Sequence, residues 1–371
     1  MKRTFYVTWA MVILAGCIPP RQKQISKVDG AWGPAAVTHV RVQMQGLGEA
    51  SNNGLLLPAV SPDGRWIACL DYRGETPPTL ESLWTGENLS GMSLHLRELA
   101  EGSQTRVVCP SGAIWPAWSS DGARLAYVVH AGEENCSLSL YDTASGKTER
   151  LNVALRGIMT PAFSPSGEAI AFVALGQTPG HFQLFVLSLA DRKLTPCPTN
   201  SPNEQHAWPT WTADGRIVFL RQSESQSQVA HWKPGAFPPE ALVDAAIPDT
   251  PMGRFQSFAG LGRALSPDDQ RFAYYDVLQD RIVLLSLRGD GMRVELKPGA
   301  RAGCWYDATR FVAATDGELR LFADSENSAL LVRGAWLPRE CVHNTHQLIL
   351  CTRGAHRREF HVIRMQVDAV Q

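Results

Sequence analysis

The chain repeats one phrase along most of its length: a short strand, then Ser-Pro-Asp-Gly or a worn copy of it, then a second apolar strand. It reads LPAVSPDGRWIACLD at Leu57–Asp71, WPAWSSDGARLAYVV at Trp115–Val129, TPAFSPSGEAIAFVA at Thr160–Ala174, WPTWTADGRIVFLR at Trp208–Arg221 and GRALSPDDQRFAYYD at Gly262–Asp276. Fainter copies begin at Ala302 and Pro338, so the first turn residue falls at Ser61, Ser119, Ser164, Thr212, Ser266, Tyr306 and Val342. Intervals of roughly 36 to 58 residues predict one four-stranded propeller blade per repeat. The phrase is a turn code. Pro62 presets φ for the first central position, Asp63 bonds its own backbone, and Gly64 accepts the positive φ that closes the hairpin. The Asp residues of the turns are accordingly read as structural.

Each turn is followed by alternating apolar residues, as in Trp66, Ala68 and Leu70, and then by a second pair of strands such as Ser93–Leu99 with Thr105–Cys109. Helical periodicity is nearly absent. A blade cannot bury its faces alone, so the aromatic before each turn (Trp118, Phe163, Trp211, Trp305) is expected to pack between neighbouring sheets. The fold expected is all-β: a β-propeller of four-stranded blades, seven in number, with six as the alternative if the last copy is an outer decoration. The seventh copy offers strands near Trp336–Arg339, Gln347–Arg353 and Glu359–Gln366, one short of a blade. The alternating segment Val37–Met44 is expected to supply the missing outer strand and close the ring, which removes its exposed edges.

The pattern P-x-W-S-P-D-G-x-x-I-A-F resembles the propeller repeat of the periplasmic protein TolB and its relatives, which recurs in the propellers of prolyl-oligopeptidase-type enzymes. The resemblance covers residues 55–365 and not the α/β domain that precedes the propeller in TolB. Six blades is the commoner count among TolB relatives. What the resemblance implies is chiefly fold, because the same propeller hosts binding modules, lyases and peptidase gates.

The N-terminus points to export. Lys2 and Arg3 form a positive start, Thr4–Leu14 is mostly apolar, and Leu14-Ala15-Gly16-Cys17 follows. This resembles a bacterial lipoprotein signal, cut before Cys17, whose sulfur then carries diacylglycerol and whose new amine is acylated. The apolar stretch is shorter than the roughly 20 residues a bilayer-spanning helix needs. The domain reading is residues 1–16 as signal peptide, 17–36 as lipidated Cys and flexible tether, and 37–371 as a single propeller. Ile18 stands where the inner-membrane retention rule wants Asp, so the resemblance implies an outer-membrane anchor facing the periplasm. The formal net charge is −1, and loss of Lys2 and Arg3 takes it to about −3. Such a balance excludes a nucleic-acid partner and leaves lipid as the membrane attachment.

Catalytic motifs are scarce. There is no G-x-S-x-G elbow, Walker loop, dinucleotide fingerprint or calcium loop, so no cofactor or metal is expected. His343-x-x-His346 sits at the seventh turn and reads as two loop histidines. Arg288-Gly289-Asp290 reads as a tight hairpin of the fifth blade. Seven cysteines remain after Cys17, an odd number, and none is in C-x-x-C spacing. One disulfide among Cys304, Cys341 and Cys351, or buried free thiols throughout, are both open at this point.

Function is expected where the chain departs from its own period. In a propeller, the links from second to third strand and between blades share one face, opposite the Ser-Pro-Asp-Gly turns. The long insertions Arg73–Met92, Asp244–Arg263 and Cys197–Ala207 all fall on that face. Trp84, Arg254, Phe255 and Phe258 are the contacts expected there, with His206 and Trp208 looking into the funnel, because aromatic and Arg anchors dominate interfaces. Two function classes follow. One is a lipid-anchored scaffold that binds an envelope protein, another lipoprotein or a peptidoglycan-associated protein, as the likeness to TolB implies. The other is a sugar-lyase type of enzyme at the channel mouth, for which His206 and Asp71 or Asp276 are the candidates. Mass spectrometry of the mature N-terminus is expected to find a triacylated Cys17, and Cys17→Ser is expected to release the protein from membranes; an unmodified Cys17 refutes the anchor.

Overall fold

The computed structural model describes residues 39–51, 58–74, 78–79, 81–100, 102–131, 135–176, 178, 180–199, 201–223, 226–236, 238–342, 345–353 and 359–370. The signal, Cys17, the tether and His343 lie outside the described residues.

Four of the turn phrases build their hairpins through the same few bonds. In the first copy the Ser61 hydroxyl accepts from the Trp66 N–H at 2.8 Å and donates to Asp63 Oδ1 at 2.5 Å. Asp63 Oδ1 also accepts from the Arg65 N–H at 3.0 Å, and Gly64 takes φ +67°. Ser119 with Asp121, Thr212 with Asp214 and Ser266 with Asp268 repeat the hydroxyl–carboxylate bond at 2.5–2.6 Å. The turn acids are occupied in holding the corner.

These hairpins assemble seven antiparallel sheets arranged as a propeller. From the axis outward, blade 1 is Ala59–Val60, Trp66–Tyr72, Met92–Glu98 and Arg106–Cys109. Blade 2 is Ala113–Trp118, Arg124–His130, Cys136–Asp142 and Thr148–Leu151. Blade 3 is Met159–Phe163, Ala169–Leu175, Phe182–Ser188 and Leu194–Pro196. Blade 4 is Gln205–Trp211, Ile217–Ser223, Gln226–Trp232 and Glu240–Asp244. Blade 6 is Ala302–Trp305, Phe311–Thr315, Glu318–Phe322 and Ser328–Arg333.

Blade 5 is the irregular one. Its regular strands are Arg271–Asp276, Arg281–Ser286 and Arg293–Glu295, and its innermost strand survives as the pairing of Leu265 with Phe272. The chain just before it has turned to the next blade instead: Gly262 N–H donates to Gly303 O at 2.9 Å, and Gly303 N–H to Gly260 O at 3.1 Å. A Cβ at Gly262 would stand 2.3 Å from the carbonyl oxygen of Arg339, so only glycine fits where three blades converge.

Blade 7 answers the question of ring closure. Its strands are Leu337–Val342, Gln347–Arg353 and Glu359–Val370, and its outermost strand is the N-terminal His39–Ser51. The two ends of the chain pair antiparallel, from His39 opposite Val370 to Ser51 opposite Glu359, with one bulge at Gly46/Gly48. Seven blades, and closure by an N-terminal strand, follow as the repeats predict. Every first strand ends at its turn phrase, so the fourth strand of each blade, His39–Ser51 included, runs from the turn face to the loop face.

The core lies between the sheets. Trp118, Trp211 and Trp305 each sit just before a turn, and each donates its indole N–H at 3.0 Å to a carbonyl of the preceding blade: Ala59, Ala162 and Ala264 respectively. Phe163, at the same position of blade 3, has no such donor and packs under the Arg124 guanidinium, 5.6 Å from its ring centre. The cysteines from Cys69 onward carry free thiols, all buried except the half-buried Cys136, so of the two alternatives the structure has the thiols. Arg288–Asp290 forms the expected hairpin, with Asp290 Oδ1 accepting from the Met292 N–H at 3.0 Å. His346 stacks on Tyr306 at 5.2 Å.

Trp211→Phe keeps the aromatic filler and removes the interblade donor. It is expected to cost about 1 kcal/mol, read as a lower urea midpoint with an unchanged slope.

Candidate functional site

The inner strands of blades 2, 3 and 4 share a device absent from the turns. Trp115, Thr160 and Trp208 each precede a proline and each adopt positive φ, +55°, +46° and +52°. The residue before proline is barred from the right-handed helical region, and a left-handed residue here makes a bulge in each strand. A non-glycine residue held there costs on the order of 1–3 kcal/mol. A bulge re-aims the side chain that sits on it. Trp115 and Trp208 come from blades that are not neighbours, yet their rings meet edge to face at 5.7 Å, at the loop-face mouth of the channel.

The link from blade 4 to blade 5 closes over this pair. Its helix, Pro251–Ala259, starts with Thr250 as cap, whose hydroxyl accepts from the Gly253 N–H at 2.9 Å, and with proline in its first turn. The spacing of Phe255 and Phe258 puts both on one side of the helix. Phe255 meets Trp115 at 6.2 Å and Trp208 at 6.5 Å, while Phe258 meets Trp208 at 5.2 Å and Phe272 of blade 5 at 5.8 Å. Both rings are buried. Arg254 is buried too: Nη1 donates to Gln222 Oε1 and to Asp249 Oδ1, each at 2.8 Å, which clamps the link onto blade 4. Beneath this cap a cavity of about 40 Å³ remains, lined by Trp115, Thr160, Phe182, His206, Trp208 and Phe255, among others. That volume suits a few water molecules.

His206 also enters the fourth inner strand, and its bonds fix its chemistry. Nδ1 accepts the Leu184 N–H at 3.1 Å, so the ring proton sits on Nε2, which donates to Glu204 Oε1 at 2.8 Å. The ring is buried edge-on against Phe219 at 4.8 Å. Burial is the largest influence on the imidazole and lowers its pKa, against the opposing pull of Glu204, so the neutral form is favoured. Nδ1 thus ties blade 3 to blade 4, while Nε2 holds the lead-in to its own strand at Glu204.

The acids named beside His206 stand in other blades. Asp71 is half-buried in blade 1, where Oδ1 accepts from the Tyr72 N–H at 2.9 Å and Oδ2 lies 3.3 Å from Arg73 Nε. Asp276 is buried in blade 5, where Oδ1 accepts from the Leu278 and Gln279 N–H groups at 3.0 and 3.1 Å. Burial raises its pKa. Among the described residues no three His, Cys, Asp or Glu side chains stand together as ligands for a metal ion.

Of the six residues expected on the loop face, the structure brings Arg254, Phe255, Phe258 and Trp208 together in the cap. His206 lies just beneath, and Trp84 stands on the short helix Ser82–Thr85 of blade 1, which abuts Trp115. Leu83 of that helix is fully buried and its carbonyl accepts from Trp115 Nε1 at 3.4 Å. The side chain of Trp84 lies outside the described residues. Among the described residues, the large apolar side chains exposed on the loop face are Met252 of the capping helix, 39% exposed, and Leu278 of the blade 5 loop, 60% exposed.

No protein-family profile matches the chain. It is 34% identical over 119 residues to a TolB homolog of Chlorobium chlorochromatii, covering 32% of this chain and 23% of that one. It is 29% identical over 183 residues to dipeptidyl-peptidase 5 of Porphyromonas gingivalis, covering 45% of this chain and 26% of that one. The chain spans about a quarter of the length of these curated relatives. Among solved structures, oligogalacturonate lyase of Vibrio parahaemolyticus superposes with a TM-score of 0.57 at 11% identity, covering 88% of this chain and 96% of that one. The ring is a TolB-like β-propeller. At 11% identity the lyase likeness concerns the fold alone.

Within this TolB-like propeller the feature sequence reasoning missed is the aromatic plug. The inner-strand bulges coincide with the Trp115-Pro116, Thr160-Pro161 and Trp208-Pro209 pairs, where proline keeps the preceding residue out of the right-handed helical region. Phe255→Ala is expected to lower stability by about 3 kcal/mol and to shift tryptophan emission to longer wavelength as Trp115 and Trp208 meet water, both followed through a urea titration.

Proposed function

We propose that this chain is a lipid-anchored protein of the bacterial cell envelope that binds another envelope protein through its loop face. The observation that carries the reading is the closed mouth. Phe255 and Phe258 fill the channel entrance against Trp115 and Trp208, leaving a helix-capped surface in place of a cleft. A small-molecule site needs a concave pocket of several hundred Å³, and the cavity here is about 40 Å³. A protein partner needs an extended surface with apolar anchors, and Met252 and Leu278 stand exposed on this one. Similarity to a TolB homolog, and the export signal with Cys17, support an envelope location with the anchor in the outer membrane. The partner class is an envelope protein, such as a lipoprotein or a peptidoglycan-associated protein.

In this reading Arg254, Phe255, Phe258, His206 and Trp208 shape the surface, and Met252, Leu278 and Trp84 are its contacts. The lyase alternative gains little support from His206, whose two nitrogens are already engaged with Leu184 and Glu204.

A photo-crosslinking residue placed in living cells at Met252 or Leu278 is expected to trap one defined envelope protein, and the same residue at Val107, exposed on the outer strand of blade 1, is expected to trap none. Met252→Asp with Leu278→Asp is expected to abolish the adduct formed from Trp84. Equal adducts from all three positions, or capture undisturbed by the double substitution, would refute the loop face as the binding surface.

A further inference from the structure

The turn between the strands Arg271–Asp276 and Arg281–Ser286 of blade 5, residues 277–280, lies on the loop face. It carries Leu278, the most exposed large apolar side chain among the described residues. Val277 beside it is half-buried against the core of the blade, while Leu278 is held out in water.

Both ends of the turn are fixed by acids. Asp276, at its start, is buried, and Oδ1 accepts from the Leu278 and Gln279 N–H groups at 3.0 and 3.1 Å. This Asx turn sets the backbone on which Leu278 stands. Oδ2 of the same carboxylate lies 3.8 Å from Nη2 of Arg293, on the outermost strand of the blade. Asp280, at the end, takes φ +51°, a left-handed conformation that Asp adopts more readily than most residues. Its carboxylate accepts from Nε and Nη2 of Arg301, each at 2.6 Å, and Oδ1 also accepts from the Tyr275 hydroxyl at 2.6 Å. Those Arg301 bonds hold the Asp280 carboxyl below the usual range, against the effect of burial. The Asp280 carbonyl accepts from the Gly299 N–H at 2.8 Å. Gly299 and Arg301 belong to the link into blade 6, so the turn is bolted to two blades.

Met252, the other exposed apolar side chain of this face, is mounted differently. It is an unbranched chain with three rotatable bonds, in the first turn of the capping helix. Binding must order such a chain, whereas a side chain on a backbone already fixed loses less freedom. We infer that Leu278 is the principal contact of the loop face, a fixed knob for an apolar pocket on the partner protein, and that Asp276 positions it. The inference rests on the reading that this face binds an envelope protein. Asp280 and Arg301 neutralise one another beside the knob, so the pocket it fits needs no compensating charge.

The turn is tested in the free protein by residue-resolved amide hydrogen exchange. The Leu278 and Gln279 N–H groups are expected to be protected and to exchange about tenfold faster in Asp276→Ala. Asp276→Asn, which keeps an Oδ1 acceptor, is expected to restore protection, with strand Arg281–Ser286 unchanged throughout. Unprotected exchange in the native chain overturns the inference, because the turn is then not fixed. The contact is tested in living cells with the photo-crosslinking residue at Met252 as reporter. Leu278→Gln is expected to lower the adduct yield about tenfold, and Leu278→Met to keep it within about twofold, as an apolar pocket requires. Asp276→Ala is expected to lower the yield about fivefold with Leu278 still in place, and Asp276→Asn to restore it. A yield undiminished in Leu278→Gln overturns the contact and leaves the loop-face reading standing. One undiminished in Asp276→Ala overturns the positioning role. No adduct from Met252 in the otherwise native chain removes the loop-face reading and the contact with it. Leu278 points to water, so its variants fold whatever becomes of Asp276→Ala.

Discussion

Everything in this ring rests on the pairing of the chain's two ends. Twelve residues of His39–Ser51 are matched with Glu359–Val370, and that ladder joins the last blade to the first. Without it, the third strand of blade 7 would present a long open edge of unpaired N–H and C=O groups, a template for association with other chains. The blades are also held in series, since each tryptophan before a turn reaches only to the blade preceding it. A serial structure with uncapped ends leaves the faces of its end blades uncovered, and closure covers them.

The repeat made the architecture readable. Ser61, Asp63 and Gly64 have chemical roles that depend on nothing farther than five residues away, so the turn and its copies could be counted from the sequence. Ring closure was readable for a different reason: a seventh copy one strand short, and an alternating segment left over at the start. Blade 5 was less so. Its inner strand yields to a glycine-lined approach among Gly260, Gly262 and Gly303, and nothing local to those glycines says which distant carbonyl they will meet.

The site shows the boundary of sequence reading more sharply. Arg254, Phe255 and Phe258 were picked out as interface anchors because they are an Arg and aromatics on a long loop. The same composition serves equally well to seal the loop's own scaffold, and the choice between facing outward and facing inward is made by Trp115 and Trp208, both far away in the sequence. His206 was legible as an inward residue but not as a strut, since its partner Leu184 is set by how blade 3 docks on blade 4.

The direction of the closing strand has a geometrical meaning for an anchored protein. His39 begins that strand on the turn face, opposite Val370, and the strand rises from there to the loop face. The chain therefore enters the ring on the side of the Ser-Pro-Asp-Gly corners, and the capped face with Met252 and Leu278 is the one opposite that entry, so whatever holds the protein from the N-terminal side leaves that face uncovered.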